Sequence, residues 1–418
     1  MKTNFDNNWI RLPANEMASS LVDMRRHLHR HPELAFQEVE TAAYVAAKLK
    51  EWGYEVQTGI AGTGVVGVLH GQKERADYPW RVVALRADMD ALPVQEQNSC
   101  DYASENEGVM HACGHDVHMA VALGVAKLFA TRQQDFRGTL KMIFQPAEEG
   151  PGGAQGMIEA GVLQNPKVEY VLGGHVWPGV PVGSIAVQPG PMMAAADKWE
   201  LTIQGRGGHG AEPHLCIDPI AIGAQVVTAL QQVVSRINNP LEPAVLSVGM
   251  FQGGTRDNII ADTVYLAGTL RTFSPENRVR LKAAIGGVIG GICASFDATY
   301  QLQFSTGYPT TLNDERMTAA LVASAEYILG ADRVQTKMNP GMPAEDFSYF
   351  AQQIPAVYMR LGITDETHGV YPLHHNCFDV HEDAMVVGVQ VYARAIVDLF
   401  QHGTDLASRI EEDYEVRR

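Results

Sequence analysis

Cysteine is scarce in this chain, with five in 418 residues, at positions 100, 113, 216, 293 and 377. The number is odd and the spacing wide, which excludes a disulfide framework and points to a reducing compartment. Positive charge is also in deficit: 32 Lys and Arg stand against 48 Asp and Glu, a formal net charge of −16. A surface for nucleic acid or anionic membrane is thereby disfavoured, because lysine and arginine on phosphates supply most of that affinity. A small anionic substrate stays compatible, since one bound metal or arginine can reverse the field locally. Long apolar runs are missing as well. AAIGGVIGGICA at 283–294 falls short of the roughly 20 residues that a membrane span needs. The polar start MKTNFDNNWIRLPANE lacks the apolar core of a signal peptide. The expectation is a soluble cytoplasmic protein of two or three domains.

Two common nucleotide signatures are absent or out of context. No G-x-x-x-x-G-K-[ST] occurs, and the G-x-G-x-x-G at 62–67 runs on through valine and leucine to His70. The dinucleotide fingerprint needs a helix opening from its last glycine, so this stretch reads as a strand bend. H-E-x-x-H is likewise missing.

Periodicity organises what is there. Met17, Leu21, Met24 and Leu28, then Val39, Ala43, Ala46 and Leu49, recur at helical spacing on either side of HPELAF, and Gly53 stops the second helix. Apolar strands follow at 64–71, 81–88, 139–145 and 168–176, with a helix near 117–131 for which Asp116 is a plausible N-cap. Strands alternating with helices predict an α/β sheet covered on both faces. From about 192 to 305 the order becomes strand, helix, strand, strand, helix, strand, the split arrangement of a ferredoxin-like α+β domain. After 306 the α/β texture resumes, with a helix near 315–329, a strand at 356–362 and a last helix at 382–402. A small domain (192–305) is therefore expected as an insertion in a discontinuous larger one (1–191 and 306–418). The charged tail after 403 is expected to fray.

Chemistry concentrates in MHACGHDVHM at 110–119, which holds three of the 15 histidines. Cys113 and His115 flank a glycine just before a helix, so both side chains can converge from a rigid support. On this stretch alone a metal site, a cysteine nucleophile and an incidental polar loop all remain open. Four further features lie at predicted strand ends or in loops, where α/β sheets place their sites: Asp88 and Asp90 in RADMDALP, Glu148 and Glu149 in QPAEEG, His175 in GGHVWP, and His374 and His375 in LHHNCF. Together they offer thiolate, imidazole and carboxylate donors from separate strands, as a metal hydrolase requires. Adjacent side chains on extended backbone point opposite ways. One glutamate of the pair can thus bind metal while the other handles the proton of an activated water.

HACGHDVHMA, QPAEEG, GGHVWP, GRGGHGAEPH, GGTRDNIIAD, GTLRTF, AEDFSYF and HHNCF, in this order, resemble the M20 metallopeptidase family, in particular its amidohydrolase branch of hippurate and N-acyl-amino-acid hydrolases. The resemblance runs from about 17 to 400. It implies a di-metal hydrolase domain with a ferredoxin-like lid and dimerisation domain, and a small-molecule N-acyl amino acid as substrate. Two divalent ions would be held by Cys113, His115, Glu149, His175 and His375, with Glu148 as general base and Asp90 orienting a ligand histidine. Asp88 stands where other branches have histidine. His209 would stabilise the oxyanion, often across a homodimer, and Asn258 and Arg271 would hold the substrate carboxylate. Glu345 and Asp346 would shape the site. Thiolate and imidazole donors favour zinc; the family also admits manganese, cobalt or nickel. A dipeptidase or aminopeptidase of the same superfamily, or a silent binding relative, stays open as an alternative.

Overall fold

The structure is a computed structural model and describes residues 7–74 and 76–405. The tail from 406 onward, expected to fray, lies outside the described residues. By internal contacts the chain divides into two units. One comprises Met1–Met192, Leu312–Asn339 and Tyr349–Arg418, and the other Met193–Thr311 with Pro340–Ser348.

After a short helical stretch over residues 7–16, the larger unit has two amphipathic helices. α1 (Ala18–Arg30) buries Leu21, Met24 and Leu28, and α2 (Val39–Glu51) buries Ala42, Val45, Ala46 and Leu49. Gly53, at φ 83°, accepts the left-handed turn after α2 that other residues would resist. Strands β1 (Glu55–Ile60) and β2 (Gly64–His70) then form an antiparallel hairpin. The G-x-G-x-x-G stretch is this turn and strand, with no helix after it. β3 (Val82–Asp88), α3 (His115–Ala130), β4 (Thr139–Gln145), β5 (Tyr170–Pro181) and the short β6 (Ile185–Ala186) follow. Every residue of β3 and β4 is buried, as expected of strands covered on both faces.

In the smaller unit, β7 (Ala195–Gln204), β8 (Gly208–His209), α4 (Pro219–Gln232), β9 (Ala244–Gly253), β10 (Ile259–Ile260), β11 (Thr263–Thr272), α5 (Pro275–Ser295) and β12 (Thr299–Thr306) succeed one another. Four strands pair antiparallel in the order β9-β11-β7-β12, while β8 and β10 form a separate two-stranded ribbon. β7 alternates buried and accessible positions, so one face of this sheet meets the core with α4 and α5. The unit extends beyond the expected 192–305. Ala194 N–H donates to the Gly341 and Pro343 carbonyls, and Thr311 Oγ1 donates to the Glu345 carbonyl, which ties 340–348 to it.

The chain re-enters the larger unit through α6 (Glu315–Leu329), β13 (Val334–Gln335), β14 (Ala356–Thr364) and α7 (Ala384–His402). The large sheet has the order β1-β2-β4-β3-β5-β14-β6-β13, parallel through β4-β3-β5-β14 and antiparallel at β2-β4 and β14-β6. Two helical stretches, Pro219–Ile237 and Ala384–His402, are long and apolar enough to cross a membrane by composition. Burial of most of α7 in the core accounts for its apolarity.

Asp116 does not cap α3. That helix starts at His115, its N-cap is the left-handed Gly114, and Asp116 sits in the first turn with its carboxylate turned inward. There it accepts from Arg25 Nε at 2.8 Å and lies 2.8 Å from His29 Nδ1, while Arg25 Nη1 reaches Glu382 at 3.3 Å. Arg25 and Asp116 are each 1% exposed, and this pair bolts α1 to the helix that bears His115. Removing one partner of such a pair strands a buried charge. Arg25→Met is expected to lower stability by about 3–5 kcal/mol, read as a shift of the denaturant midpoint at unchanged slope.

Candidate active site

Strand register sets the level of the site. Asp88 pairs with Gln145 at the carboxyl ends of β3 and β4, and Leu85 pairs with Leu172 on β5, three residues before His175. Carboxyl ends of parallel strands are where open α/β sheets bind ligands. From these ends Asp90, Glu148 and His175 enter the same region that Cys113, just before α3, and His115, at its start, reach.

Cys113 Sγ lies 3.2 Å from His175 Nε2 and 3.4 Å from His374 Nε2, and His374 Nε2 lies 3.1 Å from Glu149 Oε1. His115 Nε2 sits 3.9 Å from the same glutamate oxygen and has no hydrogen-bond partner, although the residue is fully buried. Donor atoms of His115, Glu148 and Glu149 also fall within 4.8 Å of one another. Asp90 organises this group. Its two carboxylate oxygens accept the backbone N–H of Glu148 at 3.0 Å and of Glu149 at 2.9 Å, and its carbonyl lies 2.8 Å from His115 Nδ1.

The donor set fits a divalent cation. With Nδ1–H of His115 donating to the Asp90 carbonyl and that of His175 to the Val176 carbonyl at 2.6 Å, each Nε2 lone pair aims into the cluster. Donor separations of 3.1–3.4 Å come within a few tenths of an ångström of the edges, roughly 3.3–3.8 Å, of a tetrahedron with 2.0–2.3 Å metal bonds. Electrostatics agree. Burial would lower the His115 pKa, yet Asp88, Asp90 and Glu149 raise it to about 10, the field of a place suited to a cation. Burial, then the charges of Glu149 and Glu148, push the Cys113 thiol well above its ordinary value. A thiolate nucleophile is thus disfavoured here, whereas a metal would stabilise the anion directly. Burial and the neighbouring His118 and His115 hold His175 near 3, neutral and ready to ligate.

His118 and Asp88 form a further grouping of possible ligands with His115, but their donors are engaged. His118 Nδ1 meets Asp88 Oδ1 at 2.6 Å and its Nε2 accepts the Val176 N–H at 2.9 Å. Arg86 Nη1 donates to the other Asp88 oxygen at 2.6 Å. Asp88 therefore braces β3, α3 and β5 around the site.

One expected ligand changes place. His375 stacks on Tyr371, with centroids 4.5 Å apart and 13° between planes, and its Nδ1 accepts the Cys377 N–H at 3.0 Å. His374 occupies the cluster instead. Its backbone takes the left-handed φ of 67°, held by its N–H donating to the Ala112 carbonyl at 2.8 Å. Ala147, just before the glutamate pair, is also left-handed at φ 57°. Such costly conformations persist where surrounding structure enforces them, commonly at active sites. The sequence offered HH and no periodicity to choose between its members.

Gly114 is required for two reasons. Its φ is 88°, and a Cβ there would lie 2.3 Å from Val176 Cγ2. Gly114→Ala should cost about 1–3 kcal/mol and displace Cys113 from His175, read as a lowered melting temperature together with reduced bound-metal content.

The remaining expected residues belong to the smaller unit. His209 and Asn258 are exposed neighbours on the β8–β10 ribbon, where Ile259 pairs with His209 and Gly210 N–H donates to the Asn258 carbonyl at 2.8 Å. Arg271 is half-buried on β11, eight residues from Thr263 at the ribbon end of that strand, or about 27 Å along it. The single unit does not bring these three together. Glu345 and Asp346 are buried, with Glu345 Oε1 accepting the Phe347 N–H at 2.9 Å.

A mixed α/β sheet with thiolate, imidazole and carboxylate donors gathered at its carboxyl edge defines a metal-dependent hydrolase. The sequence of residues 84–398 matches the family described as peptidase family M20/M25/M40, and the chain belongs to it. It is 41% identical to the N-acetylcysteine deacetylase of Bacillus subtilis over 383 residues, covering 90% of this chain and 96% of that one. It is 46% identical to the N-acyl-L-amino acid amidohydrolase of Geobacillus stearothermophilus over 301 residues, 72% of this chain and 80% of the relative. Among solved structures, a dinuclear metal-binding M20 peptidase of Bacillus subtilis superposes with a TM-score of 0.80 at 34% identity, covering 93% of this chain and 99% of that one. The chain is accordingly a metal-dependent hydrolase of this family.

Proposed function

We propose that the protein hydrolyses the amide bond of N-acyl amino acids, releasing a carboxylic acid and an amino acid. The observation that carries this is the glutamate pair held through Asp90, with Glu149 against His374 and Glu148 beside His115. Cys113, His115, Glu149, His175 and His374 would hold two divalent ions, zinc or manganese before cobalt or nickel. When bound, the ions acidify a water and polarise the scissile carbonyl. Glu148 takes that water's proton and returns it to the leaving amine, within a buried site that excludes competing solvent. His209 donates to the oxyanion, a contribution of roughly 3–4 kcal/mol in comparable oxyanion sites. Asn258 and Arg271 grip the substrate carboxylate, arginine through its bidentate fork. The distance between Arg271 and the His209–Asn258 ribbon supports a homodimer in which these groups serve different sites. The smaller unit then acts as lid and dimerisation domain, and the setting is cytoplasmic.

A screen of N-acetyl, N-benzoyl and long-acyl amino acids against dipeptides with a free α-amino group tests the reading. Turnover of acylated substrates and not of the dipeptides is expected; the reverse pattern would assign the chain to the peptidases instead.

A further inference from the structure

The loop between β14 and α7 carries His374, and its two ends bear a second group of donors: Asp365, His368 and His381. Asp365 Oδ2 lies 3.3 Å from His368 Nδ1 and 3.5 Å from His381 Nε2, and the two rings stand 5.2 Å apart at 74°. One donor atom from each residue falls within 4.8 Å of the others. The two separations lie close to the edges, roughly 3.3–3.4 Å, of a tetrahedron with 2.0–2.1 Å bonds to nitrogen and oxygen. All three side chains are part-exposed, at 31%, 41% and 27%, which leaves room for solvent as a fourth ligand.

The arrangement is held from behind. Backbone N–H groups of Thr367 and His368 both donate to Asp365 Oδ1, at 2.7 and 2.6 Å, which leaves Oδ2 towards the His381 ring. His381 N–H donates to the Ile363 carbonyl at 3.1 Å, and Gly369 N–H to the Asp379 carbonyl at 3.2 Å, so the loop ends are already fastened together. Behind His381, Nδ1 accepts the Asp383 N–H at 3.3 Å and lies 3.9 Å from the Asp383 carboxylate.

We propose that Asp365, His368 and His381 form a third divalent-metal site, separate from the Cys113 cluster, that clasps the loop carrying His374. Two imidazoles and one carboxylate select zinc, copper, nickel or cobalt over magnesium and calcium. The site stands on its own residues and does not depend on the substrate reading above.

The test is metal stoichiometry. Metal-stripped protein is dialysed against zinc chloride and then metal-free buffer, and zinc per chain is measured by elemental analysis for the wild type, His368→Ala, His381→Ala and Asp365→Asn. The asparagine can still accept the two backbone N–H groups but lacks the anionic ligand, so it guards against loop collapse as the explanation. Each variant is expected to hold one zinc fewer than the wild type while retaining hydrolytic activity. Cobalt loading should show the same loss as a difference in visible absorption. Equal zinc content in the wild type and all three variants would overturn the proposal. Because the readout is a difference, it stands whether the Cys113 cluster holds two ions, one or none.

Discussion

Glu148→Gln is expected to leave the protein folded and metal-loaded while turnover of an N-acyl amino acid falls by about 10²–10⁴-fold, the usual contribution of a positioned general base. The physical case rests on what the substitution preserves. The Glu148 backbone N–H donates to Asp90, so the position of the side chain is set by the main chain and survives the change. Glutamine keeps the volume and one acceptor oxygen but cannot receive a proton from water. The proposed ligands Glu149, His115 and His175 are untouched, and elemental analysis should return the wild-type metal content. Near-wild-type turnover in a metal-loaded Glu148→Gln would sink the base assignment. Loss of metal together with activity would instead place Glu148 among the ligands.

The second large effect separates two adjacent histidines. His374→Ala removes the ring that meets both Cys113 and Glu149, and should reduce bound metal and lower activity by more than the roughly 10–100-fold that loss of an outer supporting group costs. His375→Ala removes a ring stacked on Tyr371 outside the cluster, with an expected change within about twofold, typical of a substitution that breaks no buried network. Parallel metal analysis and steady-state kinetics of the two variants decide the matter. The opposite ranking would show that the loop rearranges to present His375 when metal binds.

Much of this protein is legible without coordinates. β4 falls on the expected 139–145 and α6 on the expected 315–329, because a run of seven buried residues and a helix-period apolar face are strong local signals. The ferredoxin-like order is readable for the same reason: each element has its own periodicity, and short connections leave few topologies. β1 escaped because EVQTGI is an exposed edge strand with little apolar alternation. Asp116 as an N-cap followed a sound local rule that a tertiary ion pair with Arg25 overrode.

The sequence by itself determined the types of donor, their grouping into motifs and the fold class, since these rest on residue identity and on spacing along one chain. Only the tertiary structure decided which histidine of the pair enters the cluster. That choice depends on a left-handed backbone at His374, pinned by a hydrogen bond to Ala112 from a segment about 260 positions away. It also decided that Asp88 and His118 brace the site through Arg86 and Val176, and that Asp365, His368 and His381 converge at the ends of one loop. Hydrogen bonds and ion pairs between distant segments leave no period in the sequence.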